Sequence, residues 1–214
     1  MPAKVSKLNY GAEFANTYIL GEEGEPCLVI DFGYNRNHCV ENYVKRHHSS
    51  CAGILLTHGH YDHIAGLNDL QQEVMAPIFM PNEDLRCLRS GKYNCSDYLS
   101  AEEIIIAGRI QPYGVDDGDE IALGGYEVQV IATPFHTEGS VCYYLPSLGI
   151  LFSGDTLFHL GIGRYDLPGA APRLMRESLA KLARLPDETK VYPGHGPNTT
   201  IGDEKRFNDA FQDL

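Results

Sequence analysis

Within the stretch THGHYDH, residues 57–63, three histidines and an aspartate fall in six positions: His58, His60, Asp62 and His63. Imidazole nitrogen and carboxylate oxygen are ligands that zinc accepts, and manganese and iron accept them too. His58 and His60 are two apart, so in extended chain their side chains leave the same face and both can reach one ion. Asp62 and His63 follow where a helix would begin and can serve a second ion. Gly59 lets the backbone take a tight path between the ligands. A lone histidine is usually an exposed or hydrogen-bonded polar side chain. Four ligand-type groups in one turn are different, because crowding and burying them without a cation or counter-charge is costly.

Three more ligand types follow: His136 in PFHTEGS, Asp155 in LFSGD and His195 in YPGHG. Each comes just after a strand-like run, with Gly or Pro close by. Together the seven make five histidines and two aspartates, a set that fits two cations sharing one carboxylate. Such a pair lowers the pKa of a shared water toward ~7 and polarises a carbonyl oxygen, which is the chemistry of metal-assisted hydrolysis. The chain has no G-x-S-x-G elbow of a serine hydrolase.

Positioning these groups requires strands that end together. NTYIL, a turn at GEEGEP and CLVIDFG read as a hairpin. Val40, Tyr43, Val44 and His47 have helical spacing. CAGILLTH reads as a buried strand, and HIAGLNDLQQEV as a helix with Ile64, Leu67 and Leu70 on one face. PIFM is a short strand and NEDLRCLR a short helix with Asn82 as its N-cap. In the second half, Tyr126, Val128 and Val130 alternate with Glu127 and Gln129, after a hairpin turn at Gly124-Gly125. SVCYYL-PSLG-ILFSGD is another hairpin, and KVYP a last strand. APRLMRESLAKLARL is a helix with Leu174, Met175, Leu179, Leu182 and Leu185 inside, and the tail DEKRFNDAFQDL is helical. Each half runs strands first, then a strand-to-helix unit. An α/β (α+β) arrangement of two mixed sheets face to face, with helices outside, accommodates this in one domain over residues 1–214.

Composition bounds the function. The net charge of −12 disfavours a nucleic-acid partner, and a small-molecule substrate is expected. No apolar run approaches membrane-spanning length, so no membrane association is expected, and no export signal is visible at the start. The six cysteines are scattered without a CxxC pair and read as free thiols in a reducing cytoplasm. A monomer or small homo-oligomer is consistent with this.

The motif HxHxDH, a later His, an Asp after SG and a final GH resemble the metallo-β-lactamase superfamily over nearly the whole chain and in the same order. GRYDLPGA and PGHGPNTTIGDEK are similar to its compact glyoxalase-II-like (hydroxyacylglutathione hydrolase-like) branch. The resemblance implies a four-layer αββα sandwich. It also implies two divalent ions, zinc first, with iron or manganese also compatible. It assigns His58, His60 and His136 to one ion, Asp62, His63 and His195 to the other, and Asp155 to both. Asp62 and Asp155 would also act in catalysis. Asp31 in VIDFG matches a position that supports the ligands, although a turn residue at a strand end accounts for it equally well. Arg164 and Tyr165 would meet substrate. Phe135 and Glu138 depart from the usual glycine and proline, and the Phe135 ring is expected to reshape the pocket. The tail FNDAFQDL departs as well. His38, His47, His48 and His159 match no ligand position. The activity implied is hydrolysis of a small thioester such as a hydroxyacyl-glutathione. Alternatives are a persulfide dioxygenase with one iron, or a hydrolase of another ester or amide.

Overall fold

A computed structural model describes residues 3–9, 11, 14–71, 76–212 and 214. Its first sheet has strands in the order β1 (Lys4–Leu8), β2 (Thr17–Gly21), β3 (Cys27–Ile30), β4 (Cys51–Leu55), β5 (Ile78–Pro81) and β6 (Tyr113–Val115). The first three are antiparallel and β3 to β6 run parallel. The second sheet is ordered β14-β13-β10-β9-β8-β7. It comprises β7 (Glu120–Leu123), β8 (Tyr126–Ala132), β9 (Val141–Leu145), β10 (Ile150–Gly154), β13 (Lys190–Pro193) and β14 (Thr199–Thr200). A small ribbon, β11 (Leu157–Phe158) with β12 (Gly161–Ile162), follows β10.

Strand alternation builds three cores. Leu28 and Ile30 of β3 and Leu55 of β4 face Val128, Val130, Tyr143, Leu145 and Phe152 of the second sheet. Their neighbours Cys27, Val29 and Ile54 point the other way, onto α1 (Cys39–His47) through Val40 and Val44. On the far side, Cys142, Tyr144, Leu151 and Val191 pack on α4 (Met175–Leu182), α5 (Ile201–Phe207) and α6 (Asp209–Gln212) through Leu179, Leu182, Ile201 and Phe211. The result is helix, sheet, sheet, helix, as expected. Strands buried on both faces read as unbroken apolar runs, hence CLVI, VCYYL and ILFSG. Each fully buried large side chain contributes roughly 1.5–3 kcal/mol.

Both glycines of the Gly124-Gly125 turn have positive φ, 56° and 85°, as a two-residue hairpin turn requires. Two local expectations fail. The helix read over residues 63–74 is only one α-helical turn, α2 (Tyr61–Ile64), and a 3-10 segment, Ala65–Asp69. Residues 72–75 lie outside the described residues. The cause is Gly66, whose N–H turns sideways to the carbonyls of Phe32 and Gly33, at 2.9 and 3.1 Å. Ile64, Leu67 and Leu70 are buried all the same. The segment Asn82–Arg89 is a 3-10 helix, and Asn82 does not cap it. Its amide bonds Asp116 Oδ2 at 2.8 Å instead. All six cysteines are free thiols. Strand β1 and the short helix α3 (Ser96–Leu99) had no clear pattern in the sequence.

Candidate metal centre

The ligand-type residues lie where strands end. His58 and His60 follow β4, His136 follows β8, Asp155 follows β10 and His195 follows β13, while Asp62 and His63 sit on α2. Two cross-sheet bonds bring these ends together. Val141 N–H donates to the Thr57 carbonyl at 2.9 Å, and Tyr143 Oη to that of Leu56 at 2.9 Å. On the other flank, Asn16 N–H and Tyr18 Oη donate to the carbonyls of Gly194 and Pro193, at 2.7 and 2.8 Å, which anchors the His195 loop.

All seven predicted groups converge. Three trios place their ligand atoms within 4.8 Å of one another: His58, His60 and His136; His58, His63 and Asp155; and Asp62, His63 and His195. Asp155 faces both ends of the cluster. Its Oδ1 is 3.3 Å from His63 Nε2, and its Oδ2 is 3.5 Å from His136 Nε2 and 3.6 Å from His195 Nε2. Asp62 Oδ2 is 3.0 Å from His195 Nε2.

The far ring nitrogens fix the tautomers. His136 Nδ1 lies 2.6 Å from the Arg164 carbonyl, which can only accept, so Nδ1 carries the proton. His63 Nδ1 donates to Asp31 Oδ2 at 2.8 Å. Both leave Nε2 with its lone pair directed into the cluster. Asp31 also accepts from Thr57 N–H at 2.8 Å and from Thr57 Oγ1, which lies 3.1 Å from His58 Nδ1. Its carboxylate thus ties His63 to the Thr57 turn that precedes His58.

Charge and burial demand a cation. His58, His60, His63 and His136 are buried, yet the Nε2 of each and Asp155 Oδ1 have no hydrogen-bond partner. Five such atoms around one point would be expensive in an ordinary core, and they are what divalent cations satisfy. Burial, then the neighbouring imidazoles, hold His58 well below the usual imidazole pKa, and His60 falls to about 3 for the same reasons. His63 differs. Burial is the largest influence and lowers it, but the carboxylates of Asp31, Asp155 and Asp62 together outweigh burial and hold it well above its ordinary value. Burial pushes the Asp155 carboxyl up, and the imidazoles of His63, His136 and His195 overcome it, leaving it well below the carboxylate range. Asp62 is lowered in the same way. The residues fit metal ions: imidazole nitrogens and ionised carboxylates aimed at common points.

His60, Asp62, His136, Asp155 and His195 of the cluster line a cavity of about 370 Å³, which is also bordered by Tyr61, Cys95, Leu99, Phe158, Arg164 and Leu167. Of the expected substrate residues, only Arg164 lines it, and its guanidinium is paired with Asp166, at 2.7 and 2.9 Å. Tyr165 is 47% exposed and does not border the cavity. Phe135 is a clear correction. Its ring is fully buried in the outer core with Cys142, Leu151 and Leu179, while His136, the next residue of the turn after β8, borders the cavity. The departure from glycine is absorbed by packing. Cys95, Leu99, Phe158 and Leu167 were missed, as single apolar residues in turns and very short elements carry no spacing signal. His38 and His47 pair with Glu41 and Glu23, and His48 with the Glu22 carbonyl, away from the centre. Among the described residues no helix is long and apolar enough to cross a membrane.

The family model of the metallo-beta-lactamase superfamily matches residues 10–195. The chain is 32% identical over 206 residues to the probable metallo-hydrolase YqgX of Bacillus subtilis, covering 96% of each. Over 139 residues it is 40% identical to a hydroxyacylglutathione hydrolase of Maricaulis maris, covering 65% of this chain and 46% of that protein. Among solved structures, the B3 metallo-beta-lactamase BLEG-1 is similar with a TM-score of 0.88 and 30% identity, over 97% of this chain and 99% of that one. TTHA1623, crystallised in a di-iron-bound form, has a TM-score of 0.79 and 32% identity, over 95% and 98%. With this fold, this order of ligand-type residues and a buried metal-binding centre of histidine and aspartate, the chain belongs to the metallo-beta-lactamase superfamily, whose metallo-hydrolase character it shares.

Proposed function

We propose that the chain hydrolyses a small thioester of the hydroxyacyl-glutathione kind, using two divalent cations, zinc in the first instance. The observation that carries this reading is the set of five buried ligand atoms without hydrogen-bond partners, on residues of which His60, His136 and Asp155 line the cavity. The similarity to the Maricaulis hydroxyacylglutathione hydrolase supports the choice of thioester.

In this reading His58, His60 and His136 hold one cation, Asp62, His63 and His195 the other, and Asp155 lies between them. When bound, the cations supply Lewis acidity, lowering the pKa of water toward ~7 and polarising the substrate carbonyl. The rest falls to the chain. Asp62, on the cavity wall and kept ionised by its imidazole neighbours, orients the attacking water and takes up its proton at the carboxylate. Leu99, Phe158 and Leu167 give apolar walls that exclude bulk water from the acyl group. A thiolate leaves without needing a proton donor.

A one-iron dioxygenase acting on a persulfide needs two histidines and one carboxylate, a composition that two of the trios possess. The trios of His58, His60 and His136 and of Asp62, His63 and His195 share no residue, and two separate ligand sets support two cations. The test is a substrate panel on the purified chain: a lactoyl-glutathione thioester, a β-lactam, and glutathione persulfide in an oxygen electrode. Thioester cleavage without oxygen uptake is expected. Oxygen consumption with the persulfide, or lactam cleavage alone, overturns the assignment.

A further inference from the structure

A second buried carboxylate lies beneath the centre, and its partners differ from those of Asp31. Asp84, 1% exposed, belongs to the 3-10 segment Asn82–Arg89 and reaches two loops distant in sequence. Its Oδ2 accepts from Gly59 N–H at 2.8 Å and from Thr137 Oγ1 at 2.8 Å. Its Oδ1 accepts from Gly139 N–H at 3.1 Å. Gly59 lies between His58 and His60, and Thr137 follows His136. One carboxylate thus joins the two turns that carry the three-histidine trio.

The fit leaves no slack. A Cβ on Gly59 would fall 2.4 Å from Cys87 Cβ in the same 3-10 segment, and one on Gly139 would fall 2.6 Å from Asp84 Cγ and Oδ1. Asp31 serves the other side, through His63 Nδ1 and Thr57. Neither Asp84 nor the segment around it borders the cavity. The hydrogen bonds of Asp84 toward the histidines run through the two turns, by way of the Gly59 and Gly139 N–H groups and the Thr137 hydroxyl.

We propose that Asp84 is a positioning residue for the cation site of His58, His60 and His136, setting the distance between the two histidine turns. A carboxylate is needed because N–H donors approach it from both oxygens. Whichever way an amide is turned at this position, its NH2 faces a backbone N–H, and one turn is pushed away. Partners that orient metal ligands from outside typically change metal affinity by about 10–100-fold.

The inference rests on the two-cation reading of the site, and the test separates the two. The full-length chain, stripped of metal, is titrated with Zn2+ by calorimetry and chelator competition, as wild type and as Asp84→Asn. Wild type is expected to show two binding steps, and Asp84→Asn to weaken one of them by about 10–100-fold. The weakened step should be the one removed by His60→Ala. In the His60→Ala background Asp84→Asn should change nothing further, while in His195→Ala its effect should persist. Equal weakening of both steps, no weakening, or an undiminished effect in the His60→Ala background overturns this inference and leaves the two-cation reading standing. A wild-type chain that takes up no zinc overturns both. If Asp84→Asn does not fold, Thr137→Val, which removes one donor and keeps the carboxylate, should weaken the same step by less, and unchanged zinc affinity would contradict the proposal.

Discussion

Asp31 Oδ2 accepts a 2.8 Å hydrogen bond from His63 Nδ1, with both side chains buried. Asp31 holds a left-handed backbone, φ 57°, which Asp tolerates better than most residues. In Asp31→Asn, an amide oxygen kept for Thr57 N–H leaves the NH2 facing His63. Nδ1 must then accept, and the proton moves to Nε2, the atom needed for a cation. Zinc affinity at the Asp62, His63 and His195 trio should fall about 10–100-fold, read by chelator competition. Unchanged affinity would contradict the role given to Asp31. Asp31→Ala should also lower the stability of the metal-free chain, by about 1–3 kcal/mol for each orphaned donor.

Gly194 is required by close approach. A Cβ there would lie 2.2 Å from Asp155 Oδ1 and 2.7 Å from His63 Cε1. Gly194→Ala should retain the wild-type far-ultraviolet circular dichroism while losing bound metal and hydrolysis together. Full metal content in this variant would show that Asp155 has room the structure denies it.

Phe135 separates packing from chemistry. Phe135→Ala removes a fully buried ring from the core under α4 and should cost about 3–5 kcal/mol in urea denaturation. The folded variant should keep its KM. A large KM change with little loss of stability would return the ring to the pocket.

Arg164 acts on the centre through its backbone. Its carbonyl accepts the hydrogen bond from His136 Nδ1–H while its guanidinium is held by Asp166. Arg164→Ala keeps the carbonyl and should keep full zinc stoichiometry, with any kinetic change confined to KM. Loss of metal in this variant would mean that the side chain, not the carbonyl, orders the His136 loop.

Much of this architecture is legible in the residue pattern, for identifiable reasons. Strands buried on both faces leave apolar runs, and ligands placed just beyond them inherit convergence from the sheets. Val128 and Val130 announce their face by simple alternation. The helix after His63 is misleading because Ile64, Leu67 and Leu70 keep helical spacing although Gly66 gives its N–H to the loop before it. Asp84 has no visible signature. In NEDLRCLR it reads as an acid in the first turn of a helix, and its partners lie 25 to 55 residues away. Phe135 shows the opposite hazard, where adjacency to a ligand-type residue suggests a role that burial in the outer core denies.

The central claim is that hydrolysis depends on cations held by His58, His60, Asp62, His63, His136, Asp155 and His195. The most direct measurement is metal content against thioester hydrolysis, for wild type, chelator-stripped and zinc-restored protein, and for His58→Ala, whose ring belongs to two of the three trios. The account predicts that activity rises with metal up to two ions per chain and disappears with metal in His58→Ala. Undiminished turnover by stripped protein, or by a metal-free His58→Ala chain, would contradict it.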